Sequence, residues 1–237
     1  MFIITDSFIY WSVNLGALSI PLIFTFHPRL RFDREWKYAL PAIVLVAIPF
    51  ILWDAYFTRI GIWGFNDRYL SGGSLLGLPW EEVAFFICIP YACLYTYHCF
   101  RIFFGEGLWG PPWRIHWLIP LVCIFFLGMG WDGWYTRWTA ISLLVFYLFH
   151  LLVWRSTYLN LFLMTYAVLL IPFLITNGIL TGTGIEGEVV WYNPHEHLGL
   201  RILTIPVEDV FYGLLMVLAS ITIWEKWRAV DKTDFRL

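Results

Sequence analysis

Two pairs of neighbouring carboxylates lie at the start of long apolar stretches of this sequence. Glu81 and Glu82 occur in LPWEEVAFF, and Glu208 and Asp209 occur in IPVEDVFYG. Paired carboxyl groups can do general acid and base chemistry, one as the protonated acid and another as the carboxylate. Burial and a like-charged neighbour both favour the protonated form, so we expect at least one of the four to act as an acid at neutral pH.

The surroundings of the two acid pairs are repeated as well. Six positions match at a constant displacement of 127 residues, pairing Gly72, Leu76, Leu78, Pro79, Glu81 and Glu82 with Gly199, Leu203, Ile205, Pro206, Glu208 and Asp209. Upstream, Trp63-Gly-Phe-Asn66 matches Trp191-Tyr-Asn193 with one residue fewer, and Asp54-x3-Thr58 matches Asn177-x3-Thr181. A proline followed by first-turn acids is also an ordinary helix start, but the duplicated context favours a functional pocket.

The elements that carry these residues are predicted to be membrane helices. Hydrophobic residues make up 60% of the 237 and charged residues 14%, whereas a soluble domain has about 25% charged residues. No basic residue precedes the first apolar segment, so we expect it to remain as a span and not to be a cleaved signal peptide. A bilayer helix needs roughly 17 to 25 residues, and the fourth and fifth predicted segments are short. The predicted spans are about 8–26, 38–57, 80–104, 115–131, 138–154, 158–180 and 207–224.

This pattern predicts an all-α integral membrane protein with seven transmembrane helices. The repeat divides them into two parallel three-helix units joined by a linker helix, a 3+1+3 arrangement with its axis along the membrane normal. We expect a first repeat at 1–110, a linker helix at 111–135, and a second repeat with a cytoplasmic tail at 136–237. Such an axis would bring all four acids to the same depth and to one central cavity.

The distribution of basic residues predicts the orientation. With seven spans, eleven of the 15 Lys and Arg residues fall on the side of the C-terminal tail and four on the other side. The positive-inside rule then places the C-terminus in the cytoplasm and the N-terminus outside, in what we expect to be the cell inner membrane. The formal net charge of -2 gives no indication of a nucleic-acid partner.

Other motifs carry less weight. The GxGxxG pattern at Gly182–Gly187 follows a predicted span and does not open a helix, so it is not typical of dinucleotide binding. His195 and His197 lack a convincing third metal ligand, and we predict neither a metal nor a cofactor. The four cysteines lie in predicted spans without metal-site spacing, and all three lysines lie outside them, which argues against a retinal Schiff base.

The paired P-x-E-E and P-x-E-D motifs, each preceded by a W-x-x-N or W-Y-N loop and a glycine, resemble those of membrane-embedded carotenoid cyclases of the heterodimeric lycopene cyclase type, including forms with fused subunits. The resemblance covers about residues 5–227. It implies cyclisation of the linear ends of lycopene to β-ionone rings without a flavin-binding domain. This chain is a single polypeptide, and it has no room for the prenyl-synthase domain of the fungal fusions. The ring type stays open.

Cyclising a polyene requires an acid that protonates an alkene and a base that removes a proton after ring closure. Anions and aromatic faces in a dry site would stabilise the cation. We interpret Glu81, Glu82, Glu208 and Asp209 as the catalytic residues. We hypothesise that Glu81 and Glu208, the first acid of each pair, have the leading role in proton transfer. The residues expected to bind or support the substrate are Asp54, Trp63, Asn66, Pro79, Phe85, Phe86, Asn177, Trp191, Asn193, Pro206, Phe211 and Tyr212.

The expected partners follow from this chemistry. A hydrophobic carotenoid would reach the site through the bilayer, so membrane lipid and other enzymes of carotenoid biosynthesis are the expected neighbours. A proton-coupled small-molecule transporter is the alternative, because parallel 3+1+3 repeats also build transporters. Acids near one face of the membrane, and not at mid-depth, favour the cyclase. A purely structural subunit would explain the spans but not the duplicated acids.

Overall fold

The chain folds almost entirely into helices. A computed structural model describes residues 6–105 and 113–234. This part of the chain contains seven α-helices: α1 (Ile9–Phe24), α2 (Trp36–Arg59), α3 (Trp80–Phe104), α4 (Leu118–Met129), α5 (Trp134–Leu148), α6 (Leu159–Leu180) and α7 (Val207–Asp234). The connections after α2 and α6 contain six short strands: β1 (Trp63–Phe65), β2 (Ser74–Leu75), β3 (Leu78–Pro79), β4 (Val190–Tyr192), β5 (Arg201–Ile202) and β6 (Ile205–Pro206).

Six helical segments in the described residues are long and apolar enough to cross a membrane, and they correspond to α1, α2, α3, α5, α6 and α7. The segment of α5 reaches this length because it continues as a π-helix over Phe149–Trp154. The chain is therefore a helical membrane protein, as the sequence predicts.

The fourth predicted span, 115–131, corresponds to one apolar helical segment, Trp113–Met129, which is shorter than the six long ones. It consists of a 3₁₀ turn at Trp113–Trp117 followed by the 12 residues of α4. At about 2.0 Å per residue for the 3₁₀ turn and 1.5 Å for α4, it extends about 28 Å, close to a hydrocarbon core of about 30 Å. Gly130 and Gly133 flank the turn into α5. The predicted domain boundary at 110/111 lies outside the described residues.

Helices from the first half of the chain (α1–α3) pack against helices from the second half (α5–α7). Within each half the first and third helices pack together, α1 against α3 and α5 against α7. The second helices cross over: α2 packs on α7 as well as on α3, and α6 packs on α3. Contacts between the two halves therefore contribute a substantial part of the helix packing.

The two halves also meet in a short β-ribbon. Strand β1 pairs with β4 in antiparallel fashion, with Gly64 opposite Trp191 at the centre. On each side of the ribbon one asparagine extends the pairing: Asn66 N donates to Val189 O at 2.9 Å, and Asn193 N donates to Ile62 O at 2.9 Å. These two bonds are related by the same displacement of 127 residues as the acid pairs.

This register corrects one detail of the sequence match. The sequence comparison aligned Trp63 with Trp191 by allowing a deletion, whereas the ribbon places Trp191 opposite Gly64 with the displacement of 127 unbroken. The physical reason is space, because the Trp191 indole lies where a Cβ on Gly64 would be. Glycine on one strand and tryptophan on the other therefore complement each other across the ribbon.

Two matching hairpins deliver the acids. The hairpins β2–β3 and β5–β6 each turn through two residues, beginning with Leu76 (φ 56°) or Leu203 (φ 57°). Each hairpin ends in a proline, and α3 or α7 begins directly after it. Both acid pairs consequently fall in the first turn of a helix, where carboxylates complement the positive end of the helix dipole.

Ion pairs close the opposite end of the bundle. Arg101, whose side chain is 6% exposed, lies 3.1 Å from Glu225 and 3.4 Å from Glu35. Arg228 also lies 3.4 Å from Glu35, and the Arg101 guanidinium lies over the Trp224 ring. This cluster joins α3 and α7 to the 3₁₀ turn that precedes α2.

Candidate active site

The central cavity contains three of the acidic side chains. It has a volume of about 340 Å³ and lies between α1, α3, α6 and α7, with β1 and β4 at its acidic end. Glu82, Asp209 and Asp54 line it from α3, α7 and α2. All three are buried, so a carboxyl from each of three helices faces one small space.

Asp54 and Glu82 form a carboxyl pair on one side of the cavity. Their side chains lie within hydrogen-bonding reach of each other. Trp63 Nε1 donates to Asp54 Oδ1, with a longer contact of 3.4 Å from Thr58, and Tyr10 OH donates to Glu82 Oε2. In the described part of the chain, no N–H or O–H donor reaches Asp54 Oδ2. The pair therefore has fewer donors than its oxygens can accept.

Asp209 is surrounded by donors instead. Tyr135 OH lies 2.5 Å from Oδ1, while Asn177 Nδ2 and Tyr192 OH lie 2.6 and 2.9 Å from Oδ2. Asn177 occupies the place in α6 that Asp54 occupies in α2. An amide that donates thus replaces the second carboxyl, and the two halves of the site differ chemically although their backbones match.

The first acid of each pair has a different environment. Glu81 Oε1 accepts from Ser71 N at 2.7 Å and from Ser71 Oγ at 2.5 Å. Glu208 Oε1 accepts in the same way from Leu198 N at 2.7 Å and from Thr136 Oγ1 at 2.5 Å. Neither residue lines the cavity. Both are fully buried, and both tie the preceding loop to the start of a helix.

The predicted supporting residues fall into two groups. Asp54, Trp63, Phe85, Phe86, Asn177 and Tyr212 line the cavity.

The remaining predicted residues lie outside the cavity lining. Asn66 and Asn193 hold the β-ribbon through side-chain bonds to Glu188 O and Gly61 O. The Phe211 ring packs on Phe126 of α4 at 4.9 Å. Pro79 and Trp191 line a separate outer pocket, and Pro206 ends the second hairpin.

Aromatic rings form the walls around the acids. The Trp63 and Tyr135 rings are 5.0 Å apart, edge to face. The Tyr212 ring packs against Phe50 at 5.0 Å and Trp53 at 5.3 Å. Its hydroxyl is buried and has no hydrogen-bond partner among the described residues. Ring faces and carboxylates together suit a cationic guest.

Sequence reasoning missed the tyrosines that donate to the acids. Tyr10 and Tyr135 were not singled out, nor was Tyr192, although it lies inside the W-Y-N motif. A signal was present, because Tyr10 and Tyr135 are each the second residue of the first helix of a half, in IYWS and WYTR. The short local match does not stand out from the many other aromatic residues.

The histidine motif has structural contacts. His197 Nδ1 accepts from Gly199 N at 2.9 Å, and burial lowers the pKa of its imidazole. Glu196 Oε2 accepts from Trp134 N at 2.9 Å and so caps α5. No group of three or more His, Cys, Asp or Glu side chains in the described residues is arranged to hold a metal ion. The Gly182–Gly187 segment leads into strand β4.

Comparison with known proteins assigns the family. No curated protein and no solved structure matches the chain. The sequence profile described as "Lycopene cyclase" matches residues 7–100 and 132–227, well over half of the chain. The matched regions contain both acid pairs and leave out α4. The chain therefore belongs to the lycopene cyclase family, whose members are enzymes of carotenoid biosynthesis.

Proposed function

We propose that this protein cyclises the linear ends of lycopene, or of a similar acyclic carotenoid, to β-type rings by acid–base chemistry without net redox change. The observation that carries the proposal is the meeting of Asp54, Glu82 and Asp209 at one end of a narrow cavity that is otherwise mostly apolar. An apolar cavity suits a hydrocarbon, and carboxyl groups can move its protons.

The Asp54–Glu82 pair is proposed as the acid. Two carboxylates side by side in an apolar site repel each other, so one proton shared between them stabilises the pair. A shared proton would also give Asp54 Oδ2 the hydrogen bond that no N–H or O–H donor among the described residues supplies. Transfer of this proton to a terminal carbon–carbon double bond breaks one O–H bond, forms one C–H bond and leaves a carbocation.

Asp209 is proposed as the base. The next double bond attacks the carbocation, closes the six-membered ring and moves the positive charge into it. A carboxylate held by Tyr135, Tyr192 and Asn177 stabilises this cation and then accepts a ring proton, which forms the ring double bond. One proton enters and one leaves, so the product is an isomer of the substrate.

The proton must finally return from Asp209 to the Asp54–Glu82 pair. The Tyr212 hydroxyl is proposed as the relay, because it is unpartnered among the described residues and lies in the field of all three carboxyls. Its counterpart 127 positions earlier is Phe85, so this hydroxyl belongs to one half. Glu81 and Glu208 are proposed to hold the loops that shape the cavity.

The duplicated contacts support the proposed 3+1+3 organisation. In this view 1–110 and 136–237 are parallel repeats, 111–135 is the linker, and the chain corresponds to a fused form of the two-subunit cyclases with P-x-E-E and P-x-E-D motifs. We also propose location in the cell inner membrane with the N-terminus outside, in agreement with the distribution of Lys and Arg. Bilayer lipid and other carotenoid-pathway enzymes are the proposed neighbours.

The transporter alternative has no comparable support. The family match is to cyclases. The cavity acids sit in the first turns of α3 and α7 and in the last turns of α2, whereas many transporters bind substrate near the bilayer midplane. The cyclase is therefore the better account of the acids.

The proposal is tested by expressing the chain in cells that accumulate lycopene and separating the extracted pigments by chromatography. We expect the parent to form cyclic carotenoid and the double variant Glu82→Gln plus Asp209→Asn to leave lycopene unchanged. The exposed residues Glu186 and Asp132 provide the matched control variant, Glu186→Gln plus Asp132→Asn. Unconverted lycopene with a well-inserted parent, or full conversion by the double variant, would overturn the proposal.

A further inference from the structure

The cavity continues far below the acids. Along α3 its wall includes Glu82, Ile89, Cys93 and Thr96, which lie on one helix face because they are spaced by three, four or seven residues. The 14 residues from Glu82 to Thr96 correspond to about 21 Å at 1.5 Å per residue. A volume of about 340 Å³ distributed over this length describes a channel, which fits an extended chain better than a compact molecule.

The channel reaches the outside of the bundle between α1 and α6. Gly16 and Ile20 on α1, and Pro172 on α6, line the channel and are also exposed on the outer surface. All three lie within membrane-spanning segments, so this surface faces lipid. Gly16 lies six residues after Tyr10, about 9 Å along the helix from the tyrosine that donates to Glu82. The opening is therefore lateral and close to the acids.

The corresponding place in the other half is filled. When α5 is aligned with α1 through Tyr135 and Tyr10, Ile141 takes the position of Gly16. When α2 is aligned with α6 through Asp54 and Asn177, Trp53 takes the position of Thr176. Thr176 lines the channel, whereas neither Ile141 nor Trp53 does. The Trp53 ring instead packs on Tyr212 at 5.3 Å. Bulkier side chains thus lie between α5 and α2, at the place that corresponds to the opening between α1 and α6.

We propose that the gap between α1 and α6 is a single lateral gate through which one end of a linear polyene passes from the bilayer to the acids. This inference rests on the proposed cyclase function. One gate means that each chain treats one end of its substrate at a time. The molecule with one cyclised end must leave the channel and enter again with its other, linear end first before that end reacts.

The gate is tested with Gly16→Phe. Gly16 lines the mouth and a Cβ there meets no heavy atom within 4 Å, so a side chain can be added at the mouth without a Cβ clash in the helix packing. We expect its cyclisation rate in lycopene-containing membranes to fall roughly tenfold or more, the scale expected of an overfilled pocket. Ile141→Phe, at the equivalent position of the other half, should stay within about twofold of the parent.

Two further variants separate a blocked gate from a damaged fold. Thr176→Trp narrows the channel from α6 and should reproduce the loss, while Ile20→Ala added to Gly16→Phe should restore part of the rate by reopening the mouth. Thermal unfolding should match the parent in each case. Parental rates in both Gly16→Phe and Thr176→Trp, or an equal loss in Ile141→Phe, would refute the gate while the active parent still supports the cyclase.

Discussion

Adjacent residues in the first motif should have separable roles. Glu82→Gln preserves the size of the side chain but removes the carboxyl that pairs with Asp54. General acid catalysis contributes roughly 10²- to 10⁴-fold in rate, equal to about 2.7 to 5.4 kcal/mol of the barrier. We therefore expect Glu82→Gln to lower the cyclisation rate by at least about 100-fold, with little change in thermal stability because Tyr10 OH can still donate to the amide oxygen.

Glu81→Gln should show the opposite pattern. Its amide oxygen can still accept from Ser71 N and Ser71 Oγ, but the charge that strengthens these bonds is lost. A hydrogen bond to a charged group is worth about 1.5 to 3 kcal/mol and a neutral one about 1 kcal/mol, so the two bonds together should lose about 1 to 4 kcal/mol of stability. The rate per folded molecule should stay within about tenfold of the parent.

The assay compares both variants in the same purified, lipid-reconstituted form. Initial rates of cyclic product are measured by chromatography and normalised to folded protein, and thermal unfolding is followed in parallel. The mirror pair, Glu208→Gln against Asp209→Asn, repeats the comparison in the second half. Equal rate losses in Glu81→Gln and Glu82→Gln at equal folded amounts, or a parental rate in Glu82→Gln, would refute the assignment of roles.

Three other outcomes are expected. Tyr212→Phe should slow steady-state turnover by about tenfold or more, because it removes the hydroxyl that returns the proton to the Asp54–Glu82 pair. The first turnover of a fully loaded enzyme should stay nearly unchanged. An unchanged steady-state rate would exclude the relay. Gly64→Ala should destabilise the protein by about 1 to 3 kcal/mol, because the added Cβ overpacks the ribbon. Gly128→Ala should not destabilise it, because a Cβ at that position lies in open space. Thermal unfolding of the two variants tests the difference. Arg101→Met should lose about 1.5 to 3 kcal/mol of stability, because it removes the charged hydrogen bond to Glu225 while Arg228 still pairs with Glu35. Lys37→Met, in a more exposed pair, should lose less than about 1 kcal/mol; equal melting temperatures would contradict this.

Much of the fold could be predicted because hydrophobic runs and glycine–proline turns are local signals. The start of α3 at Trp80 and its end at Phe104 coincide with the apolar run from 80 to 104. The fourth segment is located correctly within two residues, but its division is not predicted. Its first turn is a 3₁₀ helix and Gly130 ends α4, two details that hydropathy does not register.

The sequence could predict which segments carry the candidate site, but not which of their side chains face the cavity. The motif pointed to four acids, but sequence alone does not tell which of two adjacent first-turn residues faces a cavity. Consecutive residues on a helix are about 100° apart, so Glu81 and Glu82 point in different directions. Tyr10 and Asp54 join Glu82 from other helices, 72 and 28 residues away, and such long-range contacts leave no local trace.

The crossed packing of α2 and α6 makes the two halves mutually dependent. The second helix of each half packs on the last helix of the other, and the carboxyls that share the cavity come from both halves. A half made alone would expose an apolar helix face and hold an incomplete set of proton-transfer groups. Severing the chain between the halves should therefore leave two inactive fragments that regain function when coexpressed, in the manner of an obligate heterodimer. Fusion of the halves in one chain fixes their ratio at one to one and makes their encounter independent of concentration.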